Sequence, residues 1–220
     1  MSSVVKPQYG PTLSELAGPR LRALPRWARV ALAAAALMLV ALLIWARFLK
    51  DDGREAVVVR EPIAFNLLYG RDKLVRAAPR QGESLRLVTP ANDPDPESVT
   101  IRPVVLQAYE GDINGVLPTY ATELIRAMRA ADPQFILREE GRDRVNRQPG
   151  YKISFQTRQG GRTVYGRRSL LFADEPGLRE GADVTLLAVR SPSMPNVDAV
   201  GSNGPTKLPY RSFRFGTDRP

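Results

Sequence analysis

The chain contains neither cysteine nor histidine among its 220 residues. Without cysteine it has no disulfide framework, no thiol nucleophile and no residue for the lipid of a lipoprotein. Without histidine, it cannot form Ser-His-Asp triads, Cys-His pairs, the usual zinc sites or a histidine pH switch. We therefore expect a protein that is not an enzyme, with no catalytic residues, no metal ligands and no cofactor.

Clustered acids leave one route to catalysis open. They are Glu139, Glu140, Asp143, Asp174 and Glu175. General acid-base catalysis needs two carboxyl groups that converge on a cleft and titrate at separated pKa values, and adjacent acids in loops rarely do so. An enzyme is therefore the least favoured hypothesis on function.

Positive charge is in excess but is dispersed along the sequence. The formal net charge is +9, and residues 47–220 hold 27 bases and 22 acids, which leaves +5 for that part. Nucleic-acid binding requires basic residues gathered on one face. Because the bases alternate with acids, we expect no nucleic-acid partner. Arginine outnumbers lysine 27 to 5, which is typical of a bacterial genome rich in G and C.

Residues 30–46 form a run of seventeen positions without a charge. As a helix the run would be about 25 Å long, close to the roughly 30 Å of bilayer hydrocarbon. Tryptophans flank the run, as is typical of the membrane interface. We predict a transmembrane helix over 27–48, with Arg26, Trp27, Arg29, Trp45 and Arg47 at the interface. A cleaved signal peptide and a buried core helix are the alternatives.

The charges beside this run give no orientation, because four basic residues lie on each side. A short basic leader is easily retained, whereas a long following domain can be exported whatever its charge. We therefore expect a single-pass protein of the cell membrane with a cytoplasmic amino end. The predicted parts are a largely disordered leader (1–26), the helix (27–48), a linker (49–59), an extracytoplasmic domain (60–216) and a tail (217–220).

Hydrophobic periodicity predicts the fold class of the domain. Apolar residues alternate over 63–69 and 151–157, which indicates strands, and further strands are predicted at 84–88, 99–109 and 184–189. Between Leu117 and Met128 apolar residues recur every three or four positions, which predicts one amphipathic helix. The class is α+β: an N-terminal transmembrane helix, then one domain with a mainly antiparallel sheet packed by one long helix.

A Gly-Gly pair at 160–161 predicts a hairpin turn, because primed two-residue turns require positive φ. Arg158, Arg162, Arg167 and Arg168 cluster around this hairpin. They form a candidate partner-facing basic edge that would contact anionic lipid or a wall polymer. Charges at a sheet edge also prevent strand-to-strand aggregation, and this structural role is the alternative.

The order of elements resembles the PsbP/LpqN type of α/β/α sandwich. The resemblance rests on residues 65–69, the helix over 116–130, and residues 149–155, 165–167 and 211–214. It implies a curved antiparallel sheet covered by helices, in a family whose members mostly bind partners. The mycobacterial relatives are typically lipoproteins, and this chain departs from them because it has no cysteine.

These observations lead to a hypothesis of a membrane-anchored, extracytoplasmic interaction module of a bacterial cell envelope. Its expected partners are the lipid bilayer and an envelope protein. One alternative is a carrier that holds a lipid or glycan between sheet and helix. The plan of short leader, single span and external α/β domain is also similar to cystatin-like scaffold proteins, so another alternative is a scaffold subunit of a secretion, lipid-import or division complex.

Overall fold

A computed structural model describes residues 25–49, 53–175 and 177–218. The chain divides into two units between positions 51 and 52. In the first unit, helix α1 (Arg26–Leu49) forms over the apolar run. The predicted leader lies almost entirely outside the described residues, as does the middle of the predicted linker.

The prediction of an N-terminal transmembrane helix is wrong. In the ranges that the structure describes, no helix is both long enough and apolar enough to cross a membrane. Eight of the 24 residues of α1 are alanine, and a single methyl group adds little apolar surface to a helix. A helix is therefore present over the run, as its length and lack of charge predict, but the membrane-spanning assignment is not supported.

In its described residues, the second unit contains ten strands, two α-helices and a short 3-10 helix, Val197–Ala199. The strands are β1 (Arg54–Val59), β2 (Phe65–Gly70), β3 (Val75–Arg76), β4 (Leu85–Val88), β5 (Glu97–Val105), β6 (Ile136–Val145), β7 (Gln148–Gln159), β8 (Arg162–Phe172), β9 (Glu180–Val189) and β10 (Arg214–Phe215). The helices are α2 (Ile113–Ala131) and α3 (Lys207–Ser212). The predicted linker overlaps β1, because Val57 is buried in the core of this unit.

The strands form two antiparallel sheets. The larger sheet has the order β3-β4-β5-β9-β8-β7-β6, and the smaller has the order β1-β2-β10. After β5, α2 carries the chain to the opposite edge of the large sheet. The strands β6 to β9 then return by a meander until β9 pairs with β5.

Helix α2 covers one face of the large sheet. It begins with the Asp112 side chain, which accepts a hydrogen bond from the Asn114 backbone N–H. The apolar stripe predicted from the sequence faces the sheet, and Leu117, Ala121 and Ile125 are buried. These residues pack on aromatic and aliphatic side chains of β7 and β8, including Ile153 and Leu170. The predicted helix and its buried face are therefore present.

The other face of the large sheet packs against the small sheet and the C-terminal segment. Phe65 and Leu67 of β2 are fully buried here, as are Val99 and Leu186 of the large sheet. Phe213 stacks on Phe65 with ring centroids 5.6 Å apart. The unit therefore has three layers, with α2 on one side of the large sheet and the small sheet on the other.

A buried carboxylate holds the start of α3. Glu97 is 6% exposed, and its Oε2 accepts hydrogen bonds from the Thr206 backbone N–H at 3.2 Å and the Thr206 hydroxyl at 3.0 Å. Burial raises the pKa of Glu97. Because Thr206 directly precedes α3, this contact ties the helix to β5.

The β7–β8 hairpin predicted at Gly160 and Gly161 is present, with φ of 56° and 79° at its two glycines. Both strands are interior to the large sheet, because β7 also pairs with β6 and β8 also pairs with β9. At the middle of the hairpin Gly166 lies opposite Phe155. A Cβ atom at position 166 would overlap the Phe155 ring.

We expect Gly166→Ala to lower the free energy of unfolding by about 1–3 kcal/mol, because the Phe155 ring must leave its place in the core. Gly115→Ala is the matched control, since a Cβ at this position in α2 meets open space. That change should raise the free energy of unfolding by about 0.5–1 kcal/mol. Urea denaturation measures the free energy of unfolding of both variants. A Gly166→Ala variant as stable as the natural protein would contradict this packing.

Candidate functional site

A polar cleft of about 280 Å³ opens where β6, β8 and α3 meet, on the small-sheet side of the large sheet. Three arginines contribute to its lining, together with one carboxylate and one phenol. The lining residues are Asp143, Arg144, Val145, Asn146, Arg167, Gly201, Tyr210 and Arg211.

At the base of the cleft, the carboxylate of Asp143 accepts three hydrogen bonds. The Tyr210 hydroxyl donates to Oδ2 at 2.5 Å, and the Ser169 hydroxyl donates to the same atom at 3.0 Å. The backbone N–H of Arg144 donates to Oδ1 at 2.9 Å. In the pairing of β6 with β7, Asp143 lies opposite Gly150. These three hydrogen bonds fix the position of the carboxylate at the base of the cleft.

Tyr210 is the central side chain of this network. It is 6% exposed, and its hydroxyl also lies 2.8 Å from the Ser169 hydroxyl. Burial, and next the negative charge of Asp143, raise the pKa of Tyr210 far above its usual value. The phenol therefore remains protonated at physiological pH and acts as a hydrogen-bond donor.

Arg167 lies against this phenol. Its guanidinium carbon is 5.6 Å from the centroid of the Tyr210 ring, which is the distance of a cation–π contact. One Nη donates to the carbonyl oxygen of Asp198 at 3.4 Å, whereas Nε is buried and has no hydrogen-bond partner. The side chain is half-buried. The cleft thus contains a partly desolvated cation fixed over an aromatic ring.

The four arginines of the predicted basic edge do not share one surface. Arg168 faces the α2 side, where its guanidinium makes a paired contact with the carboxylate of Asp183. Arg162 lies near the hairpin turn and forms an ion pair with Asp95 at 3.2 Å, and Arg158 is exposed at the end of β7. Arg167 reaches the cleft. A partner-facing role for the four residues stays a prediction.

Two further clefts adjoin the first. One of about 480 Å³ shares Arg211 with it, and one of about 440 Å³ shares Asn146. We call the cationic lining of the three clefts the basic surface. It comprises Arg54, Lys73, Arg144, Arg147, Arg167, Lys207, Arg211 and Arg214.

Positive charges that are scattered along the sequence lie close together on the basic surface. Its eight cations are accompanied in the same clefts by two carboxylates, Asp72 and Asp143, so its net formal charge is +6. Residues 47–220 as a whole carry only +5. The rest of that part of the chain is therefore slightly negative, and the excess of positive charge lies around α3.

The turn between β6 and β7 places one of these cations in a strained conformation. Asn146 has φ of 47° and Arg147 has φ of 70°, in the left-handed region that favours glycine. The Asn146 side-chain amide donates to the carbonyl oxygens of Arg211 and Phe213, at 2.6 and 2.9 Å. Backbone strain in a residue other than glycine is concentrated at functional sites, so Arg147 also points to this surface.

The acids considered for catalysis are not brought together. Glu139 forms an ion pair with Lys152 at 2.8 Å. Asp174 and Glu175 line a separate cleft beside the start of α2. Asp143 lines the same cleft as Tyr210, and that lining contains no second carboxylate.

The five residues predicted for the membrane interface all lie on α1. Trp27 is 75% exposed. The side chains of Arg26, Arg29, Trp45 and Arg47 are outside the part of the chain that is described. Their interfacial role stays a prediction.

Sequence reasoning missed Ser169, Tyr210 and Arg211 as members of a site. A tyrosine followed by a basic residue in a terminal segment carries little information, because its partners are 67 and 41 residues away along the chain. The segment over 211–214 did contribute to the family resemblance.

No family model matches this chain, and no curated protein matches it. Among solved structures, LpqN of Mycobacterium tuberculosis, described as involved in cell envelope biogenesis, aligns at 13% identity and a TM-score of 0.48, over 78% of this chain and 96% of its own. The PsbP protein of the cyanobacterium Synechocystis aligns at 14% identity and 0.49, over 74% and 92%. LpqN and PsbP are the proteins that give their names to the family resembled in the sequence. Because both TM-scores are below 0.5, the fold is defined here by the strand order described above and not by this similarity.

We expect Tyr210→Phe to lower the free energy of unfolding at pH 7 by about 1.5–3 kcal/mol, the typical contribution of a hydrogen bond to a charged group. Because its pKa is raised in the folded state, Tyr210 contributes stability that is complete below the unfolded pKa of about 10 and is lost as pH rises toward the folded value. Above pH 10 the variant should therefore lose less stability than the natural protein, by up to about 1.4 kcal/mol per pH unit.

Denaturant titrations between neutral and alkaline pH measure both effects. Ser169→Ala is the control, because it removes one donor to Asp143 but leaves the phenol in place, so its alkaline loss of stability should match that of the natural protein. An unchanged alkaline slope in Tyr210→Phe would contradict the raised pKa of this group.

Proposed function

We propose that this protein is a non-catalytic interaction module of the bacterial cell envelope that binds an acidic segment of a partner protein on the basic surface. The observation that carries the proposal is the net formal charge of +6 around α3, in a domain that is otherwise close to neutral. A surface of one sign attracts a partner of the opposite sign, speeds their association and sets its specificity.

The chemistry of the central cleft supports binding rather than catalysis. Its lining holds one carboxylate rather than a pair, and the phenol is held protonated. The cleft therefore lacks the two carboxyl groups that the acid-base hypothesis requires. In contrast, arginine side chains are suited to pair with carboxylates.

The strain at Arg147 supports the same assignment. Glycine would adopt the turn without strain, and a left-handed residue other than glycine lowers stability by about 1–2 kcal/mol. Arginine at this position adds a cation to the basic surface. This combination is typical of a position where charge matters more than local stability.

The carrier alternative receives no support from the layer between sheet and helix. That layer is occupied by packed side chains of α2, β6, β7 and β8, including Phe135, Phe155 and Phe172. A lipid or glycan held there would have to displace them. Two clefts of the basic surface, those of about 280 and 440 Å³, instead open at the surface and have mostly polar linings.

A photo-crosslinking amino acid at position 208 should capture a protein partner in intact cells, because Leu208 lies in a cleft of the basic surface. The same amino acid at Gln134, which is exposed beyond the end of α2, should capture much less. Mass spectrometry of the crosslinked product should find an acidic segment in the partner. Equal capture at both positions would contradict the proposal, and capture of a wall polymer or nucleic acid at 208 would replace it.

The decisive variant is Arg147→Gly, because it removes a cation and relieves strain at the same time. We expect it to raise the free energy of unfolding by about 0.5–1 kcal/mol and to reduce the crosslink at 208 several-fold. A weaker crosslink then cannot result from unfolding. The control is Arg126→Gln on the exposed face of α2, which also removes one positive charge. Glutamine is used there because glycine would destabilise the helix. Arg126→Gln should leave the crosslink unchanged.

The envelope location is part of the proposal and has its own test. Alkaline phosphatase fused to the carboxyl end should be active, because that enzyme needs disulfides that form outside the cytoplasm. A fusion that is inactive although intact, while a fluorescent reporter is bright in the cytoplasm, would place the domain inside the cell and remove the envelope from the proposal.

A further inference from the structure

The guanidinium of Arg167 is incompletely satisfied within the protein. Its Nε is buried without a hydrogen-bond partner, and its described hydrogen bond is a long one, 3.4 Å, to a neutral carbonyl oxygen. Two other arginines of the same hairpin are compensated, since Arg162 pairs with Asp95 and Arg168 with Asp183. In the part of the chain that the structure describes, no carboxylate forms an ion pair with Arg167, so its guanidinium is a partly desolvated cation without a direct counter-charge.

Asp143 supplies the one carboxylate in the lining of the same cleft, but it forms no ion pair with Arg167. Its two oxygens accept hydrogen bonds from Tyr210, Ser169 and the backbone of Arg144. The contact between Arg167 and this assembly is made through the face of the Tyr210 ring. Arg144 and Arg211 in the same lining add two further positive charges, so positive charge exceeds negative charge in the cleft.

We propose that Arg167 forms a binding subsite for a single oxyanion group, a carboxylate or a phosphate, in the cleft beside Tyr210. A guanidinium presents parallel N–H donors that match the spacing of oxygens in both groups. The Tyr210 ring holds the guanidinium plane in place, so little side-chain entropy is lost when the anion binds. Tyr210 is thus a positioning residue, and Asp143 and Ser169 fix Tyr210 in turn.

The size of the cleft limits the ligand. Pockets for small molecules typically have volumes of about 300–1,000 Å³, so a cleft of about 280 Å³ accommodates one oxyanion and the atoms that attach it. A lipid chain or a folded element is too large. The subsite therefore recognises one charged group of a larger molecule, rather than the whole molecule.

This inference rests on the proposed function, because it names the chemical group by which the partner is held on the basic surface. It can nevertheless fail by itself. If crosslinking at position 208 captures an acidic partner but Arg167 binds no oxyanion, the module stands and the subsite is wrong. If Arg167 binds oxyanions but no protein is captured, the subsite stands and the protein partner is wrong.

The test uses the full chain, labelled with ¹⁵N, and titrates it separately with inorganic phosphate and with N-acetylglutamate. The readout is the Nε–H resonance of Arg167, which burial protects from exchange with water and which Arg167→Lys identifies by its loss. We expect a saturable shift of this resonance. The Nε–H of Arg158, on the same hairpin but exposed, is the internal control and should shift little.

Variants separate the subsite from general attraction by positive charge. Arg167→Lys keeps the charge but loses the fork of donors, so affinity measured on neighbouring backbone amides should fall about tenfold. Arg158→Lys should leave affinity unchanged. Tyr210→Phe keeps the ring under the guanidinium and should change affinity less than Tyr210→Ala. If Tyr210→Ala fails to fold, the comparison of the two lysine variants decides.

Two results would overturn the subsite: no shift of the Arg167 resonance at millimolar anion, or equal affinity in Arg167→Lys and Arg158→Lys. The two ligands distinguish the sources of the anion. Tighter binding of phosphate points to a phosphorylated molecule or a phosphate-bearing polymer, and tighter binding of N-acetylglutamate points to an acidic protein segment. Either supports an oxyanion subsite.

Discussion

The hydrogen bonds of Asp143 join the last helix of the chain to the large sheet. A buried or partly buried carboxylate must be paired, and here the pairing comes from Tyr210 of α3 and Ser169 of β8. Two consequences follow from this one requirement. Helix α3 is fixed above β6 to β8, and the negative charge of Asp143 adds to burial in keeping the phenol protonated. The charge of the cleft then depends on the arginines of its lining, among which Arg167 lies against the phenol ring.

The surroundings of the network follow from packing of the large sheet on both faces. On one face α2 and the aromatic residues of β7 form a continuous apolar layer, and on the other the small sheet covers β4, β5 and β9. The polar cleft lies beside this second layer, where the short helix α3 meets β6 and β8. Positive charge collects around α3 because turns and strand ends from distant parts of the sequence meet there.

Much of the domain could be predicted from periodicity. Alternation identified β2 and β7, short apolar stretches identified β4 and β9, spacing of three and four identified α2, and the glycine pair identified the β7–β8 turn. Each of these signals depends on neighbours in the sequence. The membrane span was predicted from length and lack of charge. These two properties do not distinguish an alanine-rich helix from a membrane-spanning one, and no described helix is long and apolar enough to span.

The sequence by itself determined the alternation of strands and helix, the absence of thiol and imidazole chemistry, and the total charge, because these depend on composition and local spacing. Only the tertiary structure decided which arginines are neutralised and which are not. Arg167 and Arg168 are adjacent, yet consecutive residues of a strand face opposite sides of the sheet. One therefore meets Asp183, and the other meets the ring of Tyr210, 43 positions further along the chain.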